Sequence, residues 1–392
     1  MKIAIVSFFH SEATLCLAKY IGMQDVHVDC FLICDYLRDK GFMPGIDYHR
    51  ASKKLGIYEI KNEDCPEILA WAGNSNVTYH LLRVFSYSPK FYWMFKIVIN
   101  QAIKSIKSSK YDCIDIIGQH PWLEYIHKKL YGENIVHSLH EVGTTHVGGC
   151  LTPYLQTLIK DRSKIRFFSS YVEKRFREFD SQHACQTTNT NIGVHETTKL
   201  YGSDCKIELP IDLNKTTFLF YGFLKPYKGL ALLKEAIIKL DNIQNNFNLI
   251  IAGSGHDDTL DFFSLQKNVC VINRFLSDEE MQYLNKISHI VVLPYKTASQ
   301  SGIILTSFMY GNPIIATKVG ALAENIISDY NGLLVEPEDV EGFANAMRRM
   351  VKEPSLLNKL RQGALSFGHG DKSDWNVIAK KTLTFMFDKK SF

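Results

Sequence analysis

Short apolar runs alternate with segments of helical spacing along the whole chain. In the first half the runs fall at 3–8, 28–34, 113–117, 135–139 and 165–169, with apolar residues at helical spacing over 12–21 and 99–106. Continuous apolar runs separated by helix-length segments predict a parallel sheet covered on both faces. The pattern loosens between 45 and 95, where no bounds are assigned. In the second half it sharpens. Strands are predicted at 217–221, 248–252, 269–272, 290–293, 313–317 and 332–335, and helices at 229–240, 259–266, 278–287, 303–310, 340–351 and from 355. Ser277 precedes a helix whose first turn is acidic, the residue type and charge that suit a helix amino terminus.

The reading is therefore an α/β chain with two doubly wound domains. The boundaries are 1–205 for the first domain and 206–374 for the second. A last helical segment, 375–392, carries apolar residues at Trp375, Val377, Ile378, Leu383 and Phe385 and could pack back on the first domain. A length of 392 residues agrees with two domains. Apolar residues make up 46% and charged residues 22%, with no low-complexity run, which excludes wholesale disorder. The net charge of +4 gives no general reason to expect nucleic-acid binding. Nine scattered cysteines without a C-x-x-C pair argue for reduced thiols, and hence a cytoplasmic protein, over a disulfide framework. No apolar stretch reaches the length of a membrane-spanning helix.

Candidate chemistry concentrates in loops that follow strands of the second half. Tyr221-Gly222-Phe223-Leu224-Lys225-Pro226-Tyr227-Lys228-Gly229 leads from a strand into a helix. Its two lysines, three residues apart beside a helix start, make a compact positive site matched to a diphosphate. Taken alone, the loop reads more simply as a polar turn with solvated lysines. Leu293-Pro294-Tyr295-Lys296-Thr297-Ala298-Ser299-Gln300-Ser301-Gly302 opens the next apolar helix and lets backbone N–H groups approach an anion. Ala252-Gly253-Ser254-Gly255 permits close approach of a ligand or a tight turn. Asn273-Arg274-Phe275-Leu276 could bracket a base.

These segments occur in order with Gly311-x-Pro313, Val319-Gly320-Ala321-x-x-Glu324 and Asn331-Gly332-Leu333-Leu334-Val335. Together they resemble family 4 of the retaining glycosyltransferases over about 210–340, while the first half matches only loosely. The resemblance implies a GT-B fold, two Rossmann-like domains facing across a cleft, with a nucleoside diphosphate-sugar donor in the second and the acceptor mainly in the first. It implies that Lys225 and Lys228 hold the donor diphosphate and that Ser301 and Gly302 meet its distal phosphate. Gly222, Gly253, Gly255, Arg274, Phe275, Gln300, Thr306 and Glu324 would complete the donor site, Glu324 having a helix-capping role as its alternative. Where many relatives carry Arg after the first glycine, this chain has Phe223. The family's paired carboxylates in a Glu-x7-Glu motif fall on Ala298 and Thr306, so both are missing, a variation shared with a subgroup that has a Pro-Tyr…Gln-Ser-Gly loop.

His140, at the end of a strand, corresponds to the family's cleft histidine, which contacts the transferred sugar. A strand-end histidine bonded to nearby backbone is the plainer reading. His10, His120 and His146 are weaker candidates of the same kind. No Asp-x-Asp pair or clustered ligand set calls for a metal, and no cofactor is expected. Finally, residues 68–111 contain no acidic side chain but hold six basic ones (Arg83, Lys90, Lys96, Lys104, Lys107, Lys110) among many aromatics. That mixture suits an anionic membrane surface, with a solvated basic helix over core aromatics as the alternative. The function expected is a metal-independent retaining glycosyltransferase acting on a glycan or lipid-linked acceptor in surface polysaccharide synthesis. It would be cytoplasmic and peripheral on the inner membrane face. A GT-B-type nucleotide-sugar epimerase and an inactive nucleotide- or glycan-binding protein are the alternatives.

Overall fold

The structure, a computed structural model, describes residues 1–8, 11–35, 55–86, 88–142, 151–200, 205, 207–299, 301–368 and 370–388. The chain forms two compact units, Met1–Tyr201 with Asp371–Phe392, and Gly202–Gly370.

The first unit is built on eight strands: β1 (Lys2–Phe8), β2 (His27–Asp35), β3 (Gly56–Glu59), β4 (Val77–Val84), β5 (Cys113–Ile117), β6 (Ile135–Leu139), β7 (Lys164–Phe167) and β8 (Gln186–Asn189). Their order is β3-β4-β2-β1-β5-β6-β7-β8. Strands β1, β2 and β5 are buried almost throughout, which is why they read as unbroken apolar runs. Helices start where the chain supplies caps. Pro121 and Pro153 open helices, and the side chains of Thr152 and Ser169 accept bonds from the first turns that follow them.

The uniformly parallel expectation fails at one edge. Strand β3 pairs antiparallel with β4. It has four residues and none is fully buried, so it leaves no apolar signature in the sequence. Strand β8, Gln-Thr-Thr-Asn at the other edge, is polar for the same reason. The acid-free span also divides differently from its composition. Arg83, Tyr79 and Phe95 are buried and cannot face a membrane, whereas Lys104, Lys107 and Lys110 are exposed. The final helix, Trp375–Phe387, packs on the helix Ser11–Gly22, with the Trp375 indole donating to the Val194 carbonyl at 2.7 Å.

The second unit carries β9 (Thr216–Tyr221), β10 (Phe247–Gly253), β11 (Val269–Asn273), β12 (Ile290–Leu293), β13 (Ile314–Thr317) and β14 (Gly332–Val335). Their order is β11-β10-β9-β12-β13-β14, and every pair is parallel. The strand succession reverses between β9 and β12. At such a switch point the loops leave in opposite directions and open a crevice at the carboxyl ends of the strands. The helix Asp278–Ile287 begins with a complete capping box between Ser277 and Glu280.

Candidate active site

The loops leaving β9 and β12 carry the two lysines and the Ser301–Gly302 helix start, and the structure stitches them together through their backbones. After β9 the chain turns at Gly222 and runs to Lys225. Pro226–Lys228 then form a short 3-10 turn, and Gly229 precedes the helix Leu230–Ile238. Gly229 sits at φ 76°, and a Cβ there would lie 1.7 Å from the Pro294 carbonyl oxygen. The neighbouring Lys296 N–H donates to the Tyr227 carbonyl at 2.8 Å. No side chain other than glycine's allows these two loops to approach so closely.

The same device joins β9 to β10. The Gly222 N–H donates to Ala252 and that of Leu224 to Ser254, each at 3.0 Å. A Cβ on Gly253 would collide with the Gly222 carbonyl at 1.7 Å. On its other side the Gly255 N–H donates to Asn273 Oδ1 of β11 at 3.3 Å. The glycines Gly222, Gly253 and Gly255 thus hold adjacent loops together, whatever ligand lies above them.

Lys228 lies partly buried, its Nζ 3.9 Å from the centre of the Tyr295 ring. The backbone of Tyr295 is held in turn by Thr317 at the end of β13, whose hydroxyl donates to the Tyr295 carbonyl. Burial, and then repulsion from Lys225, bring the Lys228 amine down from 10.5 to about 8. Among the described residues no carboxylate pairs with it. Lys225 is exposed, its Nζ 5.7 Å from the Phe223 ring. No signal in the sequence marks Tyr295 of the Pro-Tyr loop as the partner of Lys228.

Ser301 opens the helix Gly302–Met309 without its side chain capping it. Thr306 lies within that helix, and Glu324 stands at the third position of the short helix Leu322–Asn325. Gln300 lies outside the described residues. Arg274 is engaged with Glu280 through two bonds of 2.7 and 2.6 Å, so its guanidinium braces the carboxylate of the capping box, while Phe275 beside it is 58% exposed. Phe223 is exposed to the same degree.

In the first unit His140 directly follows β6 and is buried. It stacks on Phe168 with ring centres 3.9 Å apart and planes 24° from parallel. His120 is accounted for structurally: its Nδ1 accepts from the Trp122 N–H, and burial lowers it to about 4. His10 and His146 lie outside the described residues. Among the described residues no group of three or more His, Cys, Asp or Glu is placed to hold a metal ion. No helix among them is long and apolar enough to cross a membrane.

Residues 205–366 match the family model for Glycosyl transferases group 1, so this stretch is a glycosyltransferase group 1 domain. An uncharacterised glycosyltransferase of Methanocaldococcus jannaschii is 28% identical over 153 residues, covering 38% of this chain and 42% of that protein. The D-rhamnosyltransferase WbpZ of Pseudomonas aeruginosa is 29% identical over 154 residues, 38% of this chain and 39% of its own. The match thus spans about two fifths of the length of these relatives. Among solved structures, sucrose-phosphate synthase from Thermosynechococcus elongatus superposes with a TM-score of 0.69 at 17% identity, covering 98% of both chains. Anabaena HepE, solved with UDP and glucose, superposes with a TM-score of 0.63 at 13% identity, also covering 98% of both. With its two units, one on a sheet parallel but for an edge strand and one on a fully parallel sheet, this likeness makes the fold GT-B.

The Lys228 amine is expected to titrate with a midpoint of about 8, readable by NMR of labelled lysine side chains. The depressed midpoint has a defined sign for stability. Between about pH 8 and 10.5 the unfolded chain binds more protons at this site than the native one, so its contribution to folding stability rises with pH through that window. Lys225→Met should move the midpoint upward. An unperturbed midpoint near 10.5 would contradict the burial of this amine.

Proposed function

We propose that the protein is a metal-independent retaining glycosyltransferase that moves a sugar from a nucleoside diphosphate donor to a hydroxyl on a glycan or lipid-linked acceptor. Its place is in the synthesis of surface polysaccharide at the inner face of the membrane. The observation that carries this reading is Lys228, a partly buried ammonium with no carboxylate partner among the described residues, beside Lys225. A cation so placed lacks the anion that would compensate its desolvation. A donor diphosphate supplies it. The amino end of the helix Gly302–Met309, on the neighbouring loop, offers N–H groups to the distal phosphate.

In the reaction, the bond between the anomeric carbon and the distal phosphate oxygen breaks, and the acceptor oxygen bonds to that carbon on the same face. The acceptor's hydroxyl proton leaves with the phosphate. Negative charge grows on the diphosphate as the bond lengthens, so fixed positive charge there stabilises the transition state more than the ground state. Lys225, Lys228, Ser301 and Gly302 are the residues proposed to do this. His140 is proposed to contact the transferred sugar, and Phe275 to stack on the base. One specific observation favours a second reading, a binding protein without turnover. Ala298 and Thr306 stand where relatives carry the paired carboxylates.

Lys228→Ala should weaken binding of the cognate nucleoside diphosphate by about 1.5–3 kcal/mol, or about 10- to 150-fold, in titration calorimetry across UDP, GDP, ADP and dTDP. Unchanged affinity in a folded variant would remove the diphosphate assignment. Acceptor-dependent release of nucleoside diphosphate from the matching sugar donor supports transfer. Tight donor binding without release supports the second reading, and a new sugar epimer would favour an epimerase.

A lipid-linked acceptor requires the enzyme to meet a membrane. On the helix Tyr92–Ser109 the core face is Phe95, Val98, Ile99, Ala102, Ile103 and Ile106. The opposite face leaves Trp93 64% and Ile97 54% exposed, with Lys104 and Lys107 along it and Lys110 just beyond. Exposed aromatic and basic residues on one face suit the boundary of an anionic bilayer. The protein should therefore sediment with vesicles containing phosphatidylserine, less so as salt rises. Reversing Lys104, Lys107 and Lys110 to Glu should release it, since each basic residue near such a surface contributes about 1 kcal/mol. Protein that stays in the supernatant at low salt would return this face to an ordinary solvated helix.

A further inference from the structure

Beneath His140 three neighbouring strands bring together a buried stack that sequence motifs do not mark. Strands β5, β6 and β7 are parallel neighbours in register, with Ile117 opposite Ser138 and Ser138 opposite Arg166. Side chains two residues apart on a strand share a face. Because Ser138 faces Arg166, the next residues on that face, His140 and Phe168, meet as well, and their rings stack at 3.9 Å. The Arg166 guanidinium carbon lies 4.4 Å from the centre of the same Phe168 ring. Phe168 is thus in contact with His140 and with Arg166 at once.

Arg166 is itself immobilised. It is fully buried, and its three nitrogens reach Ser138 Oγ at 2.9 Å, Thr190 Oγ1 at 3.2 Å and Asp115 Oδ2 at 3.1 Å. Ser138 donates in turn to the other oxygen of Asp115 at 2.5 Å. A guanidinium with its bonds satisfied this way loses little by staying put, and its planar fork gives the stack a rigid base. A buried ion pair is a costly way to gain stability alone, since apolar side chains of the same volume fill a core as well or better. Its placement directly under a strand-end histidine gives it another use.

We propose that Phe168 is a positioning residue for His140, clamped by the Arg166–Asp115 pair so that the imidazole is presented in one orientation to the transferred sugar. The inference rests on the reading of His140 given under the proposed function. Orientation of a reacting group matters because a displacement of about 1 Å can cost about 100-fold in rate.

The test uses the full chain with Phe168→Leu and Phe168→Met, which keep bulk but remove the ring, and Phe168→Tyr, which keeps it. Turnover is followed as nucleoside diphosphate released from whichever of UDP-glucose, GDP-mannose, ADP-glucose and dTDP-glucose reacts fastest. Loss of the ring should lower kcat about 10- to 100-fold with the donor KM changed less than about twofold, and Phe168→Tyr should restore most of it. In the His140→Ala background, Phe168→Leu should have no further effect on kcat. By NMR the His140 ring protons, shielded by the stacked ring, should move downfield in Phe168→Leu. If His140→Ala impairs turnover but Phe168→Leu does not, the positioning role is overturned and the reading of His140 stands. If His140→Ala leaves turnover intact while its ring protons still respond to Phe168→Leu, the reading of His140 fails, and the proposed use of the stack fails with it.

Discussion

Close packing of backbone against backbone at the carboxyl edge of the second sheet is the constraint on which the candidate site depends. The Pro294 carbonyl occupies the space where Gly229 would carry a side chain, and the Gly222 carbonyl does the same at Gly253. These contacts tie the loops after β9, β10 and β12 into one surface. Lys225 and Lys228 on one loop and the helix amino end at Ser301–Gly302 on another then share a support. A methyl group at Gly229 would force the two loops apart, and an anion could not use both at once. The glycines of the motifs are the joints that let these loops pack into one surface.

The two units handle buried positive charge in opposite ways. Arg166 in the first unit is fully sequestered and bonded to Asp115, Ser138 and Thr190. Lys228 in the second is only partly buried, rests on the ring of Tyr295, and has its proton affinity reduced by burial and by Lys225. A paired cation stiffens its surroundings. An unpaired one beside a second cation raises the energy of the empty site and lowers it when an anion arrives. The contrast fits the division of labour proposed here, with a rigid support beneath His140 in one unit and an anion site in the other.

Much of the second unit was legible because its strands are buried on both faces and its loops carry glycines at fixed intervals. The bounds 278–287, 290–293 and 332–335 are those observed, and the others differ by no more than two residues at either end. Some elements left no trace. Strand β3 is short, partly exposed and antiparallel, and β8 consists of polar residues. Composition alone does not separate Arg83, Tyr79 and Phe95, which alternation along β4 and periodicity along the helix Tyr92–Ser109 turn inward, from the exposed lysines of the same span. His120 caps the helix Pro121–Leu130 through its Nδ1, a role its place after a strand does not signal. The Asp115–Arg166–Phe168–His140 stack could not be read at all. Its members come from three separate strands, and only sheet register brings them together.

The central claim is that loops 222–229 and 295–302 act as one diphosphate-binding surface. Hydrogen exchange of the full chain, with and without saturating UDP, GDP, ADP or dTDP, tests it directly. With the nucleotide that binds, amides of 222–230 and of 301–305 should gain protection together. Those lining the groove at the opposite, amino end of the same sheet, including Asp212, Lys215 and Asn268, should exchange as before. Protection confined to that groove, or to only one of the two loops, would contradict the account.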